Sequence, residues 1–103
     1  MRIISGIHKG RRIIAQKKLP VRPTTDRSKE AIFNILQNQY HWENSSVLDL
    51  FSGTGSISYE FGSRGVKKII AVDQNKMCVE FIRKTSLSLK LPIRVIQMDV
   101  IKY

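Results

Sequence analysis

Ten residues, VLDLFSGTGS at positions 47–56, limit the possible folds more than any other stretch of this chain. A short apolar run ends in two closely spaced glycines, and a segment suited to a helix follows. That order reads as a buried strand, a tight backbone turn and a helix start. Glycine turns of this kind let a ligand approach the main chain closely, because no side chain stands in the way. The helix after the turn runs to about Arg64 and stops at Gly65. KKIIAVD at 67–73 is a second strand. Residues 75–89 form a helix that buries Cys78, Ile82 and Leu89 and is stopped by Pro92, and IRVIQMD at 93–99 is a third strand. Strand, helix, strand, helix, strand at this spacing is a βαβαβ unit with a parallel sheet, so the chain is α/β.

Upstream of that unit the pattern changes. RIIS at 2–5 and RRIIA at 11–15 are short and β-branched, and Gly6 and Gly10 separate them. They predict a small hairpin with basic side chains projecting from it. A loop through Pro20 and Pro23 leads to PTTDRSKEAIFNILQN, a helix capped by Thr25 or Asp26, with Ala31, Ile32, Ile35 and Leu36 as its apolar stripe. HWENSS at 41–46 reads as a linker.

The residues around the glycines narrow the ligand. A nucleoside-triphosphate loop needs Lys and Ser/Thr directly after its last glycine, whereas Gly55 is followed by Ser56, Ile57 and Ser58. A dinucleotide fingerprint wants Gly or Ala at position 58, where this chain has Ser58. Asp73, ending the second strand, fits ribose hydroxyls in either kind of site. Asp49 discriminates: it lies four residues before Gly53, near the mouth of the turn, where a pyrophosphate would meet its negative charge. A ligand carrying positive charge suits that position. S-adenosylmethionine has a sulfonium and an ammonium and no phosphate. Asp99 ends the third strand, so three strands each end near an aspartate along the carboxyl edge, where open α/β sheets bind ligands. Any one of the three reads equally well as a cap or turn former; together with the glycine turn they favour a methyl-donor site.

Charge supplies a second constraint. The net charge is +10, and it is unevenly placed: residues 1–30 hold nine Lys/Arg against two acids, residues 31–103 nine against six. Arg2, Lys9, Arg11, Arg12, Lys17, Lys18 and Arg22 come before any acid. A block this one-sided marks a polyanion-binding arm, with nucleic acid as the default partner. No strongly amphipathic helix accompanies it, which disfavours a membrane surface. The apolar runs fall well short of the roughly 20 residues that span a bilayer, no secretory signal is visible, and the single cysteine, Cys78, fits a reducing cytoplasm. No metal-ligand spacing occurs, and His8 and His41 show no partner pattern for general-base work.

VLDLFSGTGS, AVDQN and QMD resemble the first three cofactor motifs of class I methyltransferases. With MRIISGIHKGRRI and RPTTDRSKEAIFNIL, the chain resembles the RsmD family, bacterial enzymes that methylate the 2-amino group of a guanine in 16S ribosomal RNA. The resemblance covers nearly the whole chain and implies a Rossmann-like class I methyltransferase fold: a parallel βαβαβ half with an N-terminal basic β-hairpin, the C-terminal half of the sheet absent. It implies that residues 1–30 face RNA and that 31–103 form the first half of the cofactor domain, in a cytoplasmic bacterial protein. Asp49 and the backbone at Gly53 and Gly55 would hold the methionine end of S-adenosylmethionine. Asp73 would bond the ribose hydroxyls and Asp99 the adenine amino group, with Met98 against the ring, and Phe51 and Gln74 would also belong to the cofactor site. Arg2, Lys9, Arg11, Arg12, Lys17, Lys18, Arg22 and Arg27 would face ribosomal RNA or the small ribosomal subunit.

One departure stands out. The family carries an N/D-P-P-Y/F motif after its fourth strand, which grips the target amine, and these 103 residues contain none. The catalytic residues are therefore expected beyond Tyr103. With three strands the spatial order is third, second, first, so strand 46–51 becomes an open apolar edge that invites self-association. Two other readings remain: a non-catalytic RNA- or ribosome-binding module with a retained methyltransferase-like fold, and a fragment of an adenine-N6 DNA methyltransferase.

Overall fold

A computed structural model describes residues 1–14 and 25–99. Three strands, β1 (Ser46–Leu50), β2 (Lys68–Asp73) and β3 (Ile93–Gln97), form a parallel sheet in the order β1-β2-β3. The expected order is found, and among the described residues β1 is an edge strand, as is β3. The connections are α2 (Ser56–Ser63) and α3 (Lys76–Leu89). Both lie on one face, because right-handed crossovers between sequential neighbours put successive helices on the same side. Tyr59 from α2, Ile82 and Leu89 from α3 and Ala71 from β2 share one buried cluster there. The opposite face is largely uncovered among the described residues: Leu48 and Leu50 on β1 and Ile70 on β2 are exposed, while Val72 beside Leu50 is buried. A parallel sheet normally has both faces covered, so this is half of a doubly wound arrangement.

The helix α3 follows its sequence pattern. Cys78, Val79, Ile82, Ser86 and Leu89 recur at helical spacing on its buried face. Its first turn is capped by Asn75, whose side chain accepts from the amides of Met77 (2.9 Å) and Cys78 (3.1 Å). At its other end Lys90 takes a left-handed conformation, φ 55°, which closes the helix.

The helix α1 (Asp26–Leu36) begins at Thr25, whose hydroxyl accepts from the Ser28 amide at 3.1 Å. Its buried face corrects the expected stripe. Ala31, Ile32 and Ile35 are exposed and Leu36 is half-buried, while Lys29 and Phe33 are fully enclosed. The reason is aromatic and ionic. Phe33 packs edge-on against Phe61 (4.6 Å between ring centres) and near Trp42 (6.0 Å), with the Arg64 guanidinium over its ring at 4.5 Å. Trp42 sits in a short 3₁₀ turn, so the segment expected as a plain linker anchors α1 to α2.

The N-terminal segment meets the expected hairpin only in part: among the described residues its strand contact is one antiparallel bridge, Arg2 to Arg12. Ile3 and Ile13 enter the main core, so the segment packs onto the sheet's helical layer. Gly6 makes this possible. A Cβ there would lie 1.9 Å from the Ser63 carbonyl oxygen, and its φ of +90° suits only glycine. Backbone thus meets backbone, with the Ile7 amide donating to that carbonyl at 2.8 Å.

Candidate functional site

The glycine turn leaves β1 at its carboxyl end and is fixed from the β2 side. The Ser52 amide donates to the Val72 carbonyl (2.9 Å), and the Val72 amide donates to the Ser52 hydroxyl (3.1 Å). Gly53 donates to one oxygen of Asp73 at 2.8 Å, and the Asn75 amide donates to the other at 2.9 Å. Between these clamps Phe51 is held at φ 58°, a left-handed conformation that costs a side-chain-bearing residue about 1–3 kcal/mol. The residue is 66% exposed at the mouth of the turn. Such strain persists only where the surroundings over-determine it, and it concentrates at working sites. Gly53 (φ 57°) and Gly55 (φ 84°) complete the turn. Gly55 caps α2, and a Cβ on it would strike the Tyr59 ring at 2.6 Å, so this cradle admits no side chain.

Three carboxylates line the edge as the sequence predicts. Asp49 faces the helical layer from within β1, half-buried, and accepts a 2.6 Å hydrogen bond from Ser58 in the first turn of α2. Burial pushes its pKa up; the hydroxyls of Ser58 and Ser52 hold it back, and the nearby charge of Asp73 adds to the rise. Asp73 is buried and committed to the turn, although each of its oxygens keeps a second lone pair for a ligand. Its carbonyl also accepts from the Met98 amide at 3.0 Å, which brings Met98 and the half-buried Asp99 alongside it. Met98 is 40% exposed, and exposed Gln74 accepts at its carbonyl from the Gln97 side chain at 3.4 Å. All eight expected cofactor residues thus lie along one edge. The arrangement offers a carboxylate to a cation at Asp49 and acceptors to hydroxyl or amine groups further along, and it is an unfavourable setting for phosphate.

Sequence reading missed Ser58 as a contributor. It stands where a dinucleotide fingerprint wants Gly or Ala, and the structure gives the substitution a purpose, since its hydroxyl holds Asp49. The signal was there, in the departure itself. Also missed was a buried ionic cluster beneath the site. Glu60, fully enclosed in α2, accepts from the amides of Ile4 (2.8 Å) and Ser5 (3.1 Å), from Arg64 Nε (2.7 Å), and pairs with Lys29 Nζ at 3.5 Å. Lys29 donates to the Arg2 carbonyl (2.5 Å) and to Ser56 (3.2 Å) at the start of α2. Burial lowers the Lys29 pKa, and Glu60 opposes the shift. Only the i,i+4 spacing of Glu60 and Arg64 hinted at this; Lys29 lies 31 residues away in sequence.

The basic face is partly in view. Lys9, Arg11, Arg12 and Arg27 are exposed. Arg2 is exposed but engages Asp26, through its amide at 3.0 Å and its guanidinium at 3.8 Å. Lys17, Lys18 and Arg22 lie outside the described residues. Cys78 is buried, and burial raises its thiol pKa, as suits core filler and not a nucleophile. Among the described residues no helix is long and apolar enough to cross a membrane, and no His/Cys/Asp/Glu group could hold a metal.

The sheet order, the glycine turn and the edge of carboxylates define a Rossmann-like α/β fold of the class I methyltransferase kind. A solved Escherichia coli protein titled putative methyltransferase yhhF superposes with a TM-score of 0.84 at 27% identity, covering 99% of this chain and 54% of that one. The chain belongs to the RsmD family: the family model described as "Conserved hypothetical protein 95" matches residues 1–103. It is 37% identical over 91 residues to the Bacillus subtilis protein named putative rRNA methyltransferase YlbH, covering 88% of this chain and 48% of the relative. It is 37% identical over 90 residues to the ribosomal RNA small subunit methyltransferase D of Haemophilus influenzae, covering 87% and 46% respectively. The chain spans about half the length of the curated relatives it matches.

Proposed function

We propose that this chain forms the cofactor-binding half of an S-adenosylmethionine-dependent methyltransferase acting on the 2-amino group of a guanine in small-subunit ribosomal RNA. The observation that carries the reading is Asp49, a half-buried carboxylate with a raised pKa beside a glycine cradle. Its charge is desolvated beyond what Ser58 and Ser52 compensate, so a cation placed there is favoured and a pyrophosphate is not. Bound S-adenosylmethionine supplies an electrophilic methyl group on its sulfonium. The chain's own contribution is positioning. Asp49 would hold the methionine end, the remaining lone pairs of Asp73 would take ribose hydroxyls, and Met98 and Asp99 would border the adenine. The exposed cations Lys9, Arg11, Arg12 and Arg27 would hold the RNA.

The step these residues leave out is the grip on the amine, because no N/D-P-P-Y/F segment occurs among them. Orientation of an amine lone pair toward a methyl group depends on such a grip. The test is methyl transfer to small-subunit RNA by the 103 residues, beside a version extended by the second half of a family relative. The extended protein should place the methyl on guanine N2 and the shorter one should transfer none. Equal turnover by both would put the chemistry within these residues. RNA binding without transfer by either would favour the non-catalytic module.

A further inference from the structure

A groove of ≈ 330 Å³ separates the second half of the N-terminal segment from the outer face of α3, and it shares no residue with the glycine turn. Arg11 and Arg12 stand on one side and Lys84, Thr85 and Ser88 on the other, over an apolar floor to which Phe81, Leu89 and the two isoleucines that follow Arg12 contribute. No carboxylate is among the described residues that line it. The nearest acid on the same helix, Glu80, lies one turn before Lys84 and outside the lining. Three exposed cations, Arg11, Arg12 and Lys84, border the groove, and charges of one sign around a groove raise the local concentration of anions. Two hydroxyls beside them supply short-range donors and acceptors of the kind that phosphate and ribose oxygens use.

We propose that this groove seats a stretch of the RNA sugar–phosphate backbone, making α3 a second wall of the RNA interface. The proposal rests on the RNA reading given above and extends it to Lys84, Thr85 and Ser88. Arg11 and Arg12 approach the backbone from one side, Lys84 from the other, and the hydroxyls of Thr85 and Ser88 lie where a 2′-hydroxyl or phosphate oxygen would be bonded. The contact carries register and affinity, not sequence. It lets the RNA run along the flank of the domain, apart from the cofactor edge.

The test is binding of a small-subunit ribosomal RNA fragment to the chain across a salt series, with S-adenosylmethionine calorimetry on every variant as a check of the fold. Lys84→Gln should lower affinity severalfold and reduce the salt slope by about one. Combined with Arg12→Gln, it should lose less than the two single effects added, because both walls contact one backbone. A Lys67→Gln/Lys68→Gln variant, which removes exposed charge outside the groove, should leave both quantities unchanged. An equal loss in that control, or an unchanged Lys84→Gln variant, would overturn the groove while leaving the methyltransferase reading intact. Competition by polyglutamate as effective as by RNA of equal charge would overturn the RNA assignment. Absence of cofactor binding in the unmutated chain would count against the proposed function and leave the groove result readable, with the fold of each variant then checked by circular dichroism and thermal melting.

Discussion

Glu60, enclosed in α2, and Asp49, half-buried on β1 and facing the same helical layer, are treated in opposite ways. Glu60 receives two backbone amides, a guanidinium and an ammonium, so its charge is matched from every side. Asp49 receives the Ser58 hydroxyl at 2.6 Å and weaker help from Ser52, and its pKa rises. The first carboxylate ties the N-terminal segment, α1 and α2 together. The second is left short of partners at the edge where a ligand would bind. A satisfied buried charge organises structure, and an unsatisfied one marks a place that gains from a visitor.

Removing the charge of Glu60 should have the largest effect. Glu60→Gln leaves Lys29 buried without its counter-ion, and thermal unfolding should show a loss of about 3–5 kcal/mol. The double variant Lys29→Met/Glu60→Leu should recover part of that loss and not all of it. The Ile4 and Ser5 amides would still lack their acceptor, at about 1–3 kcal/mol. Full recovery would mean that the cluster acts as an ion pair only and does not anchor the N-terminal segment.

Next in size is Asp73→Ala, which should weaken S-adenosylmethionine binding by about 1.5–3 kcal/mol in calorimetry. The structure adds a second consequence. The Gly53 and Asn75 amides lose their acceptors, so hydrogen exchange at both should quicken in the cofactor-free chain. An unchanged exchange rate would show that the turn holds itself.

Asp49→Asn sharpens the contrast from the other side. It removes an under-compensated charge and keeps an oxygen for Ser58, so the cofactor-free chain should gain about 0.5–2 kcal/mol. The gain depends on pH. A carboxyl whose folded pKa is raised contributes most below the ordinary carboxylate range, and that contribution fades as pH rises through the raised value. The variant's advantage should therefore open with rising pH and close in acid. A constant gap in thermal melts from acid to neutral pH would contradict the assignment.

How much of this was legible in the sequence depends on how local each cause is. The glycine turn, the three strands and α3 follow from periodicity and turn chemistry within single segments. The sheet order followed from the crossover rule, and β1 lies at an edge as expected. The buried face of α1 was not legible. Ile32 and Ile35 look like core and are exposed, while Lys29 looks like surface and is enclosed, because its partners, Glu60 and Ser56, lie on another helix. Tertiary pairing overrode hydrophobic pattern there. The row of aspartates was legible as positions along an edge, but the division of labour was not. That Asp73 braces the turn through Gly53 depends on a contact spanning 20 residues.

The central claim is that a cationic adenosyl cofactor is held at Asp49. Titration calorimetry of the chain with S-adenosylmethionine and, separately, with NAD tests it most directly. The account predicts that S-adenosylmethionine binds more tightly than NAD, and that Asp49→Asn weakens it at least about tenfold, or 1.4 kcal/mol, in a protein that melts higher than the parent. Tighter binding of NAD, or S-adenosylmethionine affinity untouched by Asp49→Asn, would contradict it.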